Sequence, residues 1–158
     1  MIKLSHPDLT QHPPRSVRVR LGGYAHLPRL LDKARAVIAG KGGDFKYHCP
    51  LDRHFFAFTG INHVKMLTAI KRAKSDSEML AWVNRHTKRL PYEVAAWSAW
   101  LEQHGPGGTD GHAWIAETLE KIAPDRTDVR SFADRSNWSP GAAGATRPSR
   151  KRFRPAAS

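Results

Sequence analysis

Glycine and proline cut this chain into lengths that leave room only for short helices. Pro13-Pro14, Gly22-Gly23, Gly40, Gly42-Gly43, Pro50, Gly60, Pro91, Gly105-Pro106-Gly107-Gly108 and Pro124 fall at intervals along 158 residues. A proline ring removes an amide donor and restricts its predecessor, and glycine after a helix favours a left-handed stop. Pro13-Pro14 cannot lie inside a helix. Residues 1–16 therefore read as an irregular arm, residues 17–138 as one folded domain, and residues 139–158 as a separate tail.

Between the breaks, apolar residues recur at helical spacing. Leu27, Leu30, Leu31, Ala34 and Ile38 make an amphipathic helix after the Gly22-Gly23 turn, with Pro28 tolerable in its first turn. Phe45 to His48 alternates aromatic with polar and reads as extended or a very short strand. Pro50 opens a second helix to about Thr59, and Gly60 ends it. Asn62 caps a third helix to about Ala73. Ser75 and Glu78 have capping-box spacing for a fourth, running to about His86. Pro91 opens a fifth that ends before Gly105. A sixth is expected from Thr109 or Asp110 to about Ile122, and a short seventh from Asp128 to about Trp138. The expectation is an all-α fold of six or seven short helices, with no internal repeat and no coiled coil.

Composition places the chain among ordinary globular domains, at 40% hydrophobic and 25% charged residues. No run approaches the roughly 18 apolar residues of a membrane span, and the polar N-terminus lacks an apolar leader segment. A cytoplasmic location is expected. The one cysteine, Cys49, excludes an internal disulfide framework. The formal charge is +12, and without the five cations of residues 142–158 it is +7. That tail is rich in Gly, Ala, Pro, Ser and Arg, a composition that predicts disorder.

Three stretches carry a family resemblance. They are Pro14-Arg15-Ser16-x-Arg18-x-Arg20-Leu21-Gly22-Gly23, then Leu27-Pro28-Arg29-x-x-Asp32-Lys33-x-Arg35-Ala36, then Cys49-Pro50-Leu51-Asp52. Together they resemble the bacterial domain-of-unknown-function family numbered 5069, over roughly residues 8–135. The resemblance implies a fold-level grouping and a set of suspect polar residues. It implies no catalytic residue.

The helix that begins at Leu27 carries the sharpest question. Arg29, Asp32 and Lys33 share a face beside its apolar stripe, and Arg29–Asp32 and Asp32–Arg35 are spaced to pair. One reading is a solvated face with local ion pairs worth about 0.2–0.5 kcal/mol each. The other is an anion site in which Arg18, Arg29, Lys33 and Arg35 grip a carboxylate or phosphate and Asp32 orients them or acts as a base. Cys49 precedes Pro50 at a helix N-terminus, where amides and dipole favour a thiolate, so it is a candidate nucleophile, against the alternative of a buried small hydrophobe. Tyr47 is a candidate ligand residue beside it, and Asp52 is a further plausible pocket residue close in sequence. His26, just before the charged helix, is a candidate acid or base, or simply a helix-start residue.

The other histidines follow no metal-ligand spacing, and neither His-Glu-x-x-His nor Cys-x-x-Cys occurs, so no metal and no cofactor is expected. Gly105 to Gly108 lacks the ending of a phosphate loop. Trp82, Trp97, Trp100 and Trp114 occupy apolar helical positions and read as core. Three functions stay open. The first is binding, with or without transformation, of a small anionic metabolite. The second is nonspecific nucleic-acid association through the basic tail, since no sequence-reading motif is present. The third is a protein-interaction module. Neither enzymatic activity nor oligomeric state is legible.

Overall fold

The computed structural model describes residues 6–104 and three further positions, 116, 117 and 120. It contains two strands, β1 (Arg20–Leu21) and β2 (Tyr24–Ala25), and five helices. The helices are α1 (Leu27–Ile38), α2 (Pro50–Thr59), α3 (His63–Arg72), α4 (Asp76–His86) and α5 (Pro91–Gln103). The domain is thus mostly helical with a short sheet, which corrects the all-α expectation. Five helices are delimited among the described residues, short of the six or seven expected. Of the expected sixth only positions 116, 117 and 120 are described, and they are helical; the expected seventh and the tail from 139 to 158 lie outside the described residues.

The strands come from the Gly22-Gly23 turn. Both glycines hold positive φ, 57° and 86°, as a two-residue hairpin turn of the primed type requires. Arg20 pairs with Ala25 and Leu21 with Tyr24, antiparallel. Buried Ser98 of α5 fixes this hairpin, accepting from the Ala25 amide at 2.9 Å and donating to the Gly23 carbonyl at 2.7 Å. Phe45 to His48 is no strand. Tyr47 and His48 form a turn, with His48 at φ 62°.

The helix limits follow local chemistry closely. Asn62 accepts from the amides of Val64 and Lys65, and Gly60 ends α2 in the left-handed region at φ 71°. Ser75 accepts from the Glu78 amide, but the Glu78 carboxylate reaches back to Lys74 rather than Ser75, so the box is displaced by one residue.

The core lies between α1 and the other helices. Leu27, Leu30, Leu31 and Ala34 pack with Tyr24, Phe55, Met66, Ile70, Met79 and Val83, and most of these are fully buried. The opposite side of α1 is buried as well, for ten of its twelve residues are out of solvent. The arm makes this possible. Residues 6–19 are irregular but docked, with Leu9 and Val17 at 0% exposure. The Leu9 amide donates to Lys41, and the His26 amide donates to Val17. α1 is the central helix of the domain, so its charged face meets protein and not water.

Candidate functional site

A polar helix face that is buried must find partners, because an unpaired charge out of water costs several kcal/mol. On α1 those partners come from three distant segments. Asp32 does not pair with Arg29 or Arg35. Its carboxylate receives the Arg15 guanidinium and amide from the arm, at 2.9–3.0 Å. Arg15 also reaches Asp76 at the start of α4 at 2.8 Å, and Arg35 donates to the same carboxylate at 2.6 Å. Arg15, Asp32, Asp76 and Arg35 form a clamp that joins arm, α1 and α4. The Asp32 bond raises the Arg15 pKa despite partial burial. Burial pushes the Asp76 carboxyl up, but bonds from Arg15 and Arg35 outweigh it and the net shift is downward.

A second cluster is built on Lys33, the residue after Asp32. The Lys33 ammonium donates to Asp52 Oδ1 at 2.7 Å and to Cys49 Sγ at 3.1 Å. The other side of Asp52 Oδ1 receives His26 Nε2 at 2.6 Å, and Asp52 Oδ2 accepts from the Cys49 amide at 3.2 Å. Asp52 stands in the first turn of α2, so the local demand of a helix N-terminus for a carboxylate places it there. Exposure falls inward through the cluster: Cys49 is half-buried, Lys33 is 3% exposed, and Asp52 and His26 are 0%.

The protonation states follow from these contacts. Burial pushes the Asp52 carboxyl up, but the His26 bond and the Lys33 charge hold it down at about 2. Burial lowers the His26 pKa against the pull of Asp52, so the ring is neutral at pH 7. Nε2 must then carry the proton it donates to the carboxylate. Nδ1, which has no partner among the described residues, is a bare lone pair. An unpartnered lone pair costs less than an unpartnered N–H. His26 also holds φ 70°, a left-handed conformation that costs a non-glycine residue about 1–3 kcal/mol. Its amide bond to Val17, its carbonyl bond to Leu30 and its ring bond to Asp52 keep it there.

Arg29 lies beside this cluster at 4% exposure. It donates to the Arg15 carbonyl at 3.2 Å and stacks over Phe45, and burial pushes its pKa down to about 10 against the pull of Cys49, Asp52 and Asp32. Tyr47 turns its hydroxyl to the His63 carbonyl at 2.7 Å, and burial raises its pKa. Next to it His48 stacks flat on His63, ring centroids 3.7 Å apart.

The sequence therefore names His26, Arg29, Lys33, Cys49 and Tyr47, and the fold brings them to the α1–α2 junction. Asp32 and Arg35 are drawn into the clamp. Arg18 is at neither, since its guanidinium reaches the Glu102 carbonyl near the end of α5, at 3.5 Å. Sequence reasoning left Asp52 as a plausible pocket residue without a role, and did not assign Arg15 or Asp76. Asp52 had a signal, three residues after Cys49 at a helix start. The other two had none, for Arg15 and Asp76 meet across 61 residues of chain. Among the described residues no group of three His, Cys, Asp or Glu is placed to hold a metal ion, and no helix is long and apolar enough to cross a membrane.

These features define a small, mostly helical domain whose central helix carries a buried ionic network ending at a half-exposed thiol. Residues 11–139 match the family model described as a domain of unknown function, DUF5069, and the chain belongs to that family. No curated protein matches it.

Proposed function

We propose that the α1–α2 junction binds a small anionic ligand, a carboxylate or a phosphate ester, and that Cys49 is the group that reacts with it. The observation that carries this reading is the Lys33 ammonium shared between Asp52 and the Cys49 sulfur. One Lys33 donor neutralises Asp52 and leaves two for other acceptors. Here one donor points outward to the half-exposed sulfur, which sits at the positive end of α2. Negative charge arriving with a ligand, or developing on sulfur during attack, meets that ammonium and the nearby Arg29. Asp52 and the neutral His26 act behind it, holding Lys33 in place.

Alkylation tests the reading, and the one cysteine in the chain makes the readout clean. Iodoacetate carries a carboxylate and iodoacetamide does not. Iodoacetate should gain at least about five-fold on iodoacetamide at Cys49, relative to the same ratio for free cysteine. Lys33→Met should remove the gain, and Cys49→Ser should abolish labelling. A ratio equal to that of free cysteine overturns the proposal.

A further inference from the structure

A groove of about 610 Å³ lies away from the thiol, between α3 and α4. Its chemistry is different from that of the α1–α2 junction. Lys65 and Arg72 of α3 line one wall, Trp82, Arg85 and His86 of α4 line the other, and buried Met79 is also in the lining. Trp82 and His86 are stacked, centroids 4.0 Å apart and tilted by 22°, and the His86 ring bonds the Trp82 carbonyl at 2.7 Å. Lys65, Arg72 and Arg85 make no ion pair among the described residues. The carboxylate in the groove, Glu78, is occupied with the Lys74 amide at 2.8 Å.

We infer that this groove binds a single-stranded nucleic acid, with phosphates on Lys65, Arg72 and Arg85 and a base stacked on the Trp82–His86 surface. Three observations converge on it. Residues 63–89 carry seven Lys and Arg against two carboxylates, and the other of those, Asp76, is held by Arg15 and Arg35. Lys65 and Arg72 stand seven residues apart on α3, about 10 Å along the axis, so positive charge is spread along the groove and not focused on one point. That spread suits a polyanion better than a single phosphate. The half-buried indole carries the exposed His86 ring stacked on it, and a base can continue that stack while the cations neutralise the backbone, an arrangement that requires no particular base. An acidic peptide would use the cations and leave the aromatic surface without a matching group. Binding here uses the folded domain, independently of the cations in residues 142–158.

The test is fluorescence anisotropy of a labelled 12-nucleotide single strand on the full chain. Lys65→Ala with Arg72→Ala and Arg85→Ala should weaken binding at least ten-fold. It should also reduce the slope of log affinity against log salt by about 2, three contacts at about 0.7 each. Trp82→Ala should lose at least about five-fold and Trp82→Tyr should recover most of it, which separates stacking from damage to the fold. Arg150→Ala with Arg152→Ala and Arg154→Ala should leave the groove's share of the salt slope in place. Wild-type affinity in the triple groove variant overturns the inference. So does competition by poly-glutamate equal to that of the oligonucleotide, which would make the partner an acidic protein. Adenosine monophosphate binding as tightly as the 12-mer would make the groove a mononucleotide site and overturn it too.

Discussion

Lys33→Met replaces a buried ammonium with an apolar chain of similar length and leaves Asp52 with two donors. Those are His26 Nε2 at 2.6 Å and the Cys49 amide at 3.2 Å. Removing one partner of a buried ion pair costs about 3–5 kcal/mol, and the two surviving bonds put this case at the lower end, about 3 kcal/mol at pH 7.5. With a urea m-value of about 1.5 kcal/mol/M, the unfolding midpoint should drop by about 2 M. Most of that loss is the stranded carboxylate, so adding Asp52→Asn should restore more than half of it, a coupling of about 2 kcal/mol. The pH dependence supplies a second check. Asp52 holds its proton less tightly folded, at about 2, than its ordinary 3.8, so its stabilising share is present above about pH 4 and is lost as pH falls towards 2. Lys33→Met forfeits much of that share, and the gap between wild type and variant should narrow over the same window. Tryptophan fluorescence in a urea series measures all of this. A midpoint shift below about 0.5 M, or a double variant as unstable as the sum of the singles, would show that Lys33 does not neutralise Asp52 in the folded chain.

Three other perturbations probe the same architecture. Burial lowers the His26 pKa below its ordinary 6.5, so the unfolded chain takes the proton first and stability should fall as pH drops below 6.5, by up to about 1.4 kcal/mol per pH unit. His26→Gln should flatten that slope in urea unfolding at pH 7.5, 6.5 and 5.5, and parallel profiles would refute a neutral buried ring. Arg15→Ala removes the bridge between Asp32 and Asp76 and should cost about 2 kcal/mol, while trypsin should cut the arm ahead of the rest of the domain; unchanged cleavage would mean the clamp does not hold it. Gly43 holds φ 55°, and an added Cβ would stand 3.0 Å from the Leu9 carbonyl oxygen, whereas Gly60 at φ 71° has open space around it. Gly43→Ala should therefore lose more than the about 1–2 kcal/mol of left-handed strain that Gly60→Ala loses, and equal thermal shifts would contradict the close approach of arm and loop.

The five described helices were legible because their ends are local. Asn62, Ser75, Pro91 and Gly60 act on amides and carbonyls within four residues, so their chemistry is written in adjacent letters. The short sheet was legible only as a turn. Two-residue strands carry no periodicity of their own, and β2 is held by Ser98, far along the chain. The Tyr47–His48 turn was misread as extended because aromatic alternation mimics a strand, while His48 in fact turns at φ 62° and stacks on His63, fifteen residues on.

The candidate site divides in the same way. The sequence by itself determined that α1 has an apolar stripe and a charged face, that Cys49 opens a helix, and that a carboxylate follows at its first turn. Those facts depend on spacing along one segment. Only the tertiary structure decided what the charged face is for. A helix face reads the same in sequence whether water or protein covers it, and here the docked arm and the ends of α2 and α4 cover it. Burial turns weak neighbour pairs into two networks drawn from residues far apart in the chain, because out of water each charge must find its counterpart wherever the fold can supply one.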